Sequence, residues 1–378
     1  MEILEIVSGA QINGAVVHCA LLCREFARLG HSVTLVCRTG SKIKGILGDE
    51  RIRVIESDLH RLPLDELRRI SSIVRESRIE VIHTHMTRAH NFGVVLRRFC
   101  GAPCVATAHS HIVQPLTWMF NDHVIAVSDA TKRFQLKWNL VRAANIDTVH
   151  GFMDYESQAA VPAEAGAEAR ASLGIGPDIP VVGIIGDIIP RKGHLYLVRA
   201  LAEIKRAIPN VLLLIVGDPK RNMGRKYDRL VREEAQRLGV TSSIQWTGYR
   251  TDVASILRAL DVYVLASLDE MFPVAVLEAM SARRPIVATK VGGVPECLTD
   301  GENGLLAPSA DAGALALAIR SLLEDRGLAH RLGERAHALA RDRFSVQSQA
   351  PRIEAVFERV IAKFDRARAG TGAAGRAL

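Results

Sequence analysis

The segment that decides the fold reads Leu265-Ala-Ser-Leu-Asp-Glu-Met-Phe-Pro-Val-Ala-Val-Leu-Glu-Ala-Met280. It begins at the end of an apolar run that is typical of a buried strand, and it finishes in a helical pattern. Pro273 stands where the helix begins, and proline is favoured in a first helical turn because it has no N–H group. The N–H groups of Val274, Ala275 and Val276 are then expected to be free to meet an anion. The segment therefore predicts a strand, a loop and a helix whose first turn binds a negatively charged group.

Two carboxylates accompany this predicted anion site. Glu270 lies in the loop, and Glu278 follows eight residues later in the helix. Ionised carboxylates accept hydrogen bonds strongly from hydroxyl groups. One of them can bind sugar hydroxyls and the other ribose hydroxyls, with a diphosphate at the start of the helix between them. The alternative is that Glu278 is an ordinary residue on the helix surface and binds no ligand, since two glutamates at this spacing are common by chance.

Outward from this segment, short apolar runs alternate with longer amphipathic stretches along the 378 residues. Such alternation is typical of parallel, doubly wound sheets. We therefore predict an α/β protein with two doubly wound Rossmann-like domains that face each other across a cleft. The predicted parts are an N-terminal domain over 1–155, a linker over 156–176, a C-terminal domain over 177–345, a helix over 346–366 that packs back toward the N-terminal domain, and a disordered tail over 367–378.

The charge balance indicates anionic partners. The formal net charge is +8, and a basic protein is attracted to phosphates, nucleic acid or acidic lipids. Aromatic residues make up only 5% of the chain and do not alternate with basic ones, which argues against nucleic-acid binding. The first residues carry no basic region of a signal peptide, and no apolar run reaches the ~20 residues that span a bilayer. We therefore predict a cytoplasmic protein.

A basic amphipathic stretch runs from Thr131 to Arg142. It carries Lys132, Arg133 and Lys137 between apolar residues. A helix of this kind can lie on an anionic membrane, which would place the protein at the inner face of the membrane. The alternative is a solvated helix with one face in the core.

These motifs, taken in order, resemble those of the large retaining glycosyltransferase family 4, whose members have the GT-B fold. The glutamate pair resembles the E-x7-E signature of that family. The other matching segments are 30–33, 127–128, 216–218, 248–252, 259–262, 292–296 and 300–305. The resemblance implies transfer of a sugar from a UDP- or GDP-sugar, with the acceptor on the N-terminal domain and the nucleotide sugar on the C-terminal domain. Membrane contact through the stretch from Thr131 to Arg142 would favour a lipid-linked or cell-envelope glycan as that acceptor. It implies retention at the anomeric carbon, and no cofactor or metal ion is predicted, since the sequence has no Asp-x-Asp motif.

Site residues follow from the resemblance position by position. Lys192, in Pro190-Arg-Lys-Gly193, resembles the lysine that holds the donor diphosphate. Glu270 resembles the residue that contacts the donor sugar, and Glu278 the residue on the ribose. His109 resembles the active-site histidine of the family, and Gly14 would allow the backbone to approach phosphate closely. The residues that would lend backbone groups to sugar and phosphate are Phe272, Pro273 and Val274.

The chain also departs from the family pattern. Asp187 stands where the family usually has an arginine beside the phosphate lysine, and Arg191 is the candidate replacement. The usual Gly-Gly of the first loop reads Gly14-Ala15. Three other functions stay open at this point. The first is a nucleotide-sugar epimerase on the same fold, and the second is a metal-dependent hydrolase that uses His83-Thr-His85 and His109-Ser-His111 as zinc ligands. The third is a nucleotide-sugar sensor without catalytic activity, which the absence of an arginine at position 187 would favour.

Overall fold

The computed structural model describes residues 1–59, 64–162 and 164–374. The chain divides into two compact units: Met1–Phe152 together with the C-terminal segment that begins at Val346, and Met153–Ser345. In the described ranges, no helix is long and apolar enough to cross a membrane.

Strands and helices alternate through both units. The strands are β1 (Glu2–Val7), β2 (Ser32–Arg38), β3 (Arg53–Ser57), β4 (Val81–His85), β5 (Cys104–Ala108), β6 (His123–Ala126), β7 (Ile146–Thr148), β8 (Val181–Ile185), β9 (Leu212–Val216), β10 (Ile244–Gly248), β11 (Val262–Leu265), β12 (Ile286–Thr289) and β13 (Leu305–Ala307). The α-helices are α1 (Gly14–Arg28), α2 (Lys44–Leu47), α3 (Leu64–Glu76), α4 (Thr87–Cys100), α5 (Pro115–Met119), α6 (Asp129–Trp138), α7 (Tyr155–Ala159), α8 (Ala165–Ser172), α9 (His194–Ala207), α10 (Arg221–Arg237), α11 (Val253–Ala259), α12 (Val274–Ser281), α13 (Ala312–Glu324), α14 (Arg326–Phe344) and α15 (Val346–Ala374).

The first unit contains one parallel sheet in the order β3-β2-β1-β4-β5-β6-β7. Side chains alternate across the sheet, so Ile3 and Val7 join the apolar cluster of α1 and α15, while Leu4 and Ile6 join that of α3 and α4. Glu5 points to the same side as Ile3 and Val7 and is fully buried there. A charged residue in the middle of a buried strand is therefore the unusual feature of this sheet.

The second unit repeats the architecture with a parallel sheet in the order β10-β9-β8-β11-β12-β13. Its strands are apolar and largely buried because helices such as α9 and α13 pack against the sheet. The strand order reverses between β8 and β11, as it does between β1 and β4 in the first unit. Ligands of doubly wound sheets bind at the carboxyl ends of strands at such reversal points. The prediction of two Rossmann-like α/β domains is confirmed.

The segment over 156–176 is not a linker. It contains most of α7 and all of α8, and both helices belong to the second unit. Gly166 of α8 lies so close to α11 that a Cβ atom there would be 2.6 Å from the carbonyl oxygen of Arg258. The Arg258 side chain donates to the carbonyl oxygens of Gln158 and Val161. Small residues and backbone hydrogen bonds thus replace the large apolar side chains whose absence suggested a linker.

The C-terminal helix is longer than the sequence predicts. It extends from Val346 to Ala374, so residues 367–374 are helical rather than a disordered tail. The helix packs on α1, where the rings of Phe357 and Phe26 lie 5.7 Å apart. Near its end, the Arg368 side chain donates to the carbonyl oxygen of Gly101 at 2.9 Å. Residues 375–378 of the predicted tail lie outside the described residues.

One glycine decides how closely two loops of the second unit can approach. Gly193 has φ +69°, and a Cβ atom there would lie 1.8 Å from the carbonyl oxygen of Ala266, just after β11. Only glycine permits both the left-handed backbone and this contact. Gly174 has a similar φ of +68°, but a Cβ atom at that position would have no atom of the described residues within 4 Å apart from those of Gly174 and its chain neighbours.

We therefore expect Gly193→Ala to lower the free energy of unfolding by more than about 3 kcal/mol, because backbone strain and a steric clash act together. Gly174→Ala is the matched control, and it should cost only about 1 kcal/mol because it adds the strain without the clash. Urea unfolding of the two variants measures the difference. Equal losses of stability would contradict the close contact at Ala266.

Candidate functional site

Loops at the carboxyl ends of β8, β11 and β12 are joined by backbone contacts. The N–H of Leu268 donates to the carbonyl oxygen of Arg191 at 2.7 Å. The N–H of Gly293 donates to the carbonyl oxygen of Glu270 at 3.0 Å. Gly292 has φ +49°, and a Cβ atom there would lie 1.7 Å from the carbonyl oxygen of Glu270. The backbone on either side of the Glu270 carboxylate is therefore fixed by its neighbours rather than free to move.

The Glu270 carboxylate is buried and compensated by two basic side chains. Its side chain is 7% exposed, and Oε2 accepts from Lys192 Nζ at 2.7 Å. Oε1 lies 3.3 Å from Nη1 of Arg191, and the Ser267 hydroxyl donates to Oε2 at 3.2 Å. A buried charge must be paired to be tolerated. The structure thus brings together three of the residues that the sequence singles out, namely Arg191, Lys192 and Glu270.

Glu278 lies on α12 in a different electrostatic setting. It is half-buried, and its carboxylate has no hydrogen-bond or ion-pair partner in the described part of the chain. Burial raises the pKa of Glu278 from 4.5 to about 7. Near neutral pH, this carboxyl group is therefore partly protonated and can donate as well as accept a hydrogen bond. The hydroxyl of Tyr263 on β11 is buried and has no hydrogen-bond partner among the described residues. Burial together with the charges of Glu278 and Glu270 raises the pKa of Tyr263.

The start of α12 differs from the predicted anion site. Pro273 precedes the helix as expected. However, the N–H of Val274 donates to the carbonyl oxygen of Phe272 at 3.1 Å, and that of Val276 donates to Pro273 at 2.9 Å. The prediction of three free N–H groups is wrong at these two positions, because the chain turns tightly enough to satisfy them locally. Phe272 itself is buried, with its ring 5.6 Å from that of Phe344.

In the first unit, the carboxyl ends of β4 and β5 meet around the buried Glu5. Its Oε1 lies 2.9 Å from Nδ1 of His83, and its Oε2 lies 2.8 Å from Nε2 of His85. The other nitrogen of His83 is 2.7 Å from the hydroxyl of Thr107. The remaining nitrogen of His85, Nδ1, is 3.1 Å from Nε2 of His109. His109 therefore follows β5 as predicted, and it is the partly exposed end of a buried polar network.

The charges in this network follow from burial and pairing. Burial alone would raise the pKa of Glu5, but the charge of His83 and the hydrogen bonds from His83 and His85 lower it to about 2. Burial and the neighbouring His83 lower the pKa of His85 to about 4. Burial also lowers the pKa of His109 well below its ordinary range. At neutral pH, Glu5 is thus an anion, whereas His85 and His109 are neutral.

The zinc prediction for the two His-x-His motifs is corrected by these contacts. His83 is occupied by Glu5 and Thr107, and the ring of His111 stacks on Phe134 at 4.7 Å. Among the described residues, the histidine nitrogens that converge belong to His18, His85 and His109, within 4.8 Å of one another. In the described part of the chain, neither motif supplies a pair of ligands to one metal position: His83 and His85 are both hydrogen-bonded to Glu5, and His111 contacts Thr131 and Phe134 away from His109.

Gly14 lies at the start of α1. The Asn13 side chain caps this helix by accepting from the N–H groups of Ala15 and Val16 at 3.1 and 3.2 Å. Apart from its chain neighbours and the backbone of its own helix, no atom of the described residues lies within 4 Å of a Cβ position at Gly14. The position therefore offers open space at a helix N-terminus, and its predicted contact with phosphate stays a prediction.

Family models match both units of the chain. The model described as "Glycosyl transferases group 1" matches residues 167–338, and that described as "Glycosyltransferase Family 4" matches residues 12–157. Among solved structures, HepE of Anabaena in complex with UDP and glucose has a TM-score of 0.83 at 22% identity, covering 95% of this chain and 99% of that one. A glycosyltransferase from Rickettsia africae gives a TM-score of 0.83 at 20% identity, with 95% and 98% covered. These likenesses establish the fold.

Curated relatives carry similar names. The D-inositol 3-phosphate glycosyltransferase of Nocardia farcinica is 35% identical over 211 residues, which is 55% of this chain and 46% of that protein. The lipopolysaccharide core biosynthesis glycosyltransferase LpsE of Rhizobium meliloti is 35% identical over 176 residues, 47% of this chain and 49% of that protein. These matches span about half the length of either relative. The chain belongs to glycosyltransferase family 4.

Sequence reasoning missed the contacts that support the predicted residues, although it named His85 as a possible zinc ligand. Ser267 contacts Glu270, whereas Glu5, His18 and His85 surround His109. The one available signal was Glu5, since a charged residue inside the apolar run of a buried strand needs a buried partner. That partner cannot be chosen from sequence, because it lies on a strand about 80 positions away.

The raised pKa of Glu278 predicts a pH-dependent stability. The folded state holds this proton more tightly than the unfolded chain does, so its stabilising effect is complete below pH 4.5 and is lost as pH rises through about 7. Glu278→Gln should therefore equal the wild type in stability near pH 4.5 and exceed it by about 3 kcal/mol at pH 8. Urea unfolding across this range measures the gap, and Glu302→Gln, an exposed glutamate of the same unit, is the control. A constant gap between wild type and Glu278→Gln would contradict the prediction.

Proposed function

We propose that the chain is a retaining glycosyltransferase that moves a sugar from a nucleotide-diphosphate sugar to a glycan acceptor without a metal ion. The observation that carries this proposal is the buried carboxylate of Glu270, paired with Lys192 where β8 and β11 end. This pairs a hydroxyl-binding group with a phosphate-binding group at the reversal point of a doubly wound sheet. Membership of glycosyltransferase family 4 supports the reaction class.

Lys192 and Arg191 both compensate the negative charge of Glu270, and they have different roles when a ligand binds. Both contact Glu270, and Arg191 also donates to the carbonyl oxygen of Asp269 at 3.0 Å. When a diphosphate arrives, Lys192 can turn toward it while Arg191 continues to compensate Glu270. Arg191 then serves in place of the arginine that the family has at Asp187, and Asp187 itself pairs with Lys220 at 2.5 Å.

The chemistry needs positioning and charge stabilisation more than a nucleophile on the protein. The bond between the anomeric carbon and the diphosphate oxygen breaks while the acceptor oxygen bonds to the same face of that carbon. The leaving phosphate takes the proton of the acceptor hydroxyl. Lys192 stabilises the negative charge that develops on the leaving group, which is the role that a metal ion has in other transferases. Glu270 holds the donor sugar, and Glu278 holds the ribose.

The donor base is best proposed as uracil. The structure of HepE with UDP and glucose concerns a protein of the same fold and supports UDP over GDP. For the acceptor, the names of the curated relatives favour an inositol phosphate or a lipopolysaccharide core, and the second is attached to lipid. We propose a lipid-linked or cell-envelope glycan acceptor and a cytoplasmic protein at the inner face of the membrane.

The membrane part of the proposal rests on an apolar surface with basic neighbours in the first unit. Gln114 and Asn139 join the two chain segments of this surface by a hydrogen bond of 2.6 Å. The exposed apolar side chains are Ile112, Val113, Leu116, Met119, Phe120, Trp138 and Leu140. On α6, Lys132, Arg133 and Lys137 supply positive charge, and Nζ of Lys137 lies 4.8 Å from the centre of the Trp138 ring. Apolar side chains beside basic ones are suited to an anionic lipid surface.

The donor site is tested by thermal unfolding with UDP, GDP and ADP. UDP should raise the melting temperature of the wild type, because a ligand that binds the folded state stabilises it, and EDTA should leave this shift unchanged. Lys192→Ala should abolish the shift. Lys205→Ala removes the same charge at the other end of α9, where Lys205 contacts Ser243, and should keep the shift.

Transfer itself is tested by incubating the wild type with UDP-glucose and membrane glycolipids. In the thermal unfolding experiment, an unchanged melting temperature with all three nucleotides would contradict the donor site. A shift that EDTA removes would contradict metal independence. Release of an isomerised nucleotide sugar, without transfer, would favour the epimerase instead.

Membrane contact is tested by flotation with vesicles that contain anionic phospholipid. The combined change of Lys132, Arg133 and Lys137 to Ala should reduce vesicle binding at least tenfold at low salt, since each basic residue contributes ~1 kcal/mol near an anionic surface. A matched triple change of the exposed residues Arg225, Lys226 and Arg229 on α10 removes the same charge from the second unit. Equal binding by the two triple variants would contradict a membrane surface at α6.

A further inference from the structure

A chain of hydrogen bonds connects the buried carboxylate on β1 to the histidine that follows β5. Oε2 of Glu5 is 2.8 Å from Nε2 of His85, and Nδ1 of His85 is 3.1 Å from Nε2 of His109. Glu5 and His85 are fully buried, whereas His109 is partly exposed. The chain therefore runs from the interior of the first unit to a side chain that a ligand can reach.

Glu5, at the buried end of this series of hydrogen bonds, determines which atom is the donor in each bond. A carboxylate anion only accepts, so Nε2 of His85 must carry the hydrogen that points at Glu5. Because His85 is neutral, its Nδ1 has a lone pair and accepts from the next ring. Nε2 of His109 must then be the donor. Since His109 is neutral as well, its own Nδ1 is left with a lone pair.

We infer that Glu5 is a positioning residue that fixes, through His85, the tautomer of His109 and leaves Nδ1 of His109 as a hydrogen-bond acceptor. In the described part of the chain, no group bonds to that nitrogen. Its natural partner is a hydrogen-bond donor such as a sugar hydroxyl. A phosphate oxygen, which only accepts, is excluded as a partner. This deepens the proposed function and rests on it only for the identity of the hydroxyl.

The neighbouring rings do not set the direction of the hydrogen bonds between Glu5, His85 and His109. His83 uses its two nitrogens on Glu5 and on the Thr107 hydroxyl, so it does not compete for His109. The ring of His18 lies edge-on to that of His109, with centroids 4.7 Å apart, and it stacks on Phe152 at 4.1 Å. These rings pack beside His109, but the hydrogen bond to its Nε2 comes from His85.

Histidine-selective ¹⁵N labelling and long-range ¹H–¹⁵N NMR read the tautomer directly. The signals of His109 are assigned by their loss in His109→Gln. In the wild type we expect His109 to be protonated at Nε2 and bare at Nδ1. In Glu5→Gln, the amide can place its NH2 group toward His85, which would reverse both rings and move the His109 proton to Nδ1.

Glu25→Gln is the matched control. Glu25 is also a buried glutamate of the first unit, but it pairs with Arg28 at 2.6 Å and does not contact the histidines. The His109 spectrum should be unchanged in this variant. A wild-type His109 protonated at Nδ1 would overturn the inference even if Glu5→Gln failed to fold. An unchanged tautomer in folded Glu5→Leu, which has no acceptor for the Nε2 hydrogen of His85, would overturn it too.

A second measurement identifies the hydroxyl. Monodeoxy analogues of the donor sugar are compared by kcat/KM in the wild type and in Glu5→Gln. With one analogue, the kcat/KM of the wild type should fall roughly fivefold to tenfold, which is the effect of losing one hydrogen bond. The kcat/KM of the variant should fall much less with the same analogue. Equal losses in both proteins would overturn the hydroxyl contact. The NMR result does not require transfer activity, so failure of the proposed function would leave the tautomer test intact.

Discussion

Every strand of both sheets runs parallel to its neighbours, and this constraint places the chemistry of the molecule. Parallel strands need a crossover, so the loops that leave their carboxyl ends collect along one edge of each sheet. Glu270 and Lys192 meet there because β8 and β11 are adjacent, although the two residues are 78 positions apart in the chain. Glu5, His85 and His109 meet because β1, β4 and β5 are neighbours in the first sheet, although Glu5 lies within its strand.

The two units stabilise a buried carboxylate in different ways. Glu270 is compensated by permanent cations, Lys192 and Arg191, which an incoming anion can redirect. Glu5 is held by imidazoles, and in His85 and His109 burial favours the neutral ring. Cations suit a site whose ligand carries charge. Neutral rings suit a site in which the position of a proton, rather than a charge, has to be specified.

Much of the fold could be predicted from the sequence because it depends on local patterns. Alternation of apolar runs and helical stretches predicted two doubly wound domains, and the loop around Glu270 was placed correctly before α12. The predictions failed where packing overrides composition. The Ala- and Gly-rich segment over 156–176 contains helices, and Gly166 permits close contact between α8 and α11. The C-terminal helix continues past residue 366, where Arg368 bonds to Gly101.

The sequence by itself determined the family, the alternation of elements and the residues that carry charge at the strand ends, since these depend on residue type and spacing. Only the tertiary structure decided their partners. It showed that Lys192 and Arg191 share Glu270, that the N–H groups of Val274 and Val276 are satisfied locally, and that His109 is linked to Glu5. Such contacts join residues far apart in the chain, and burial sets their protonation, so neither can be predicted from local sequence.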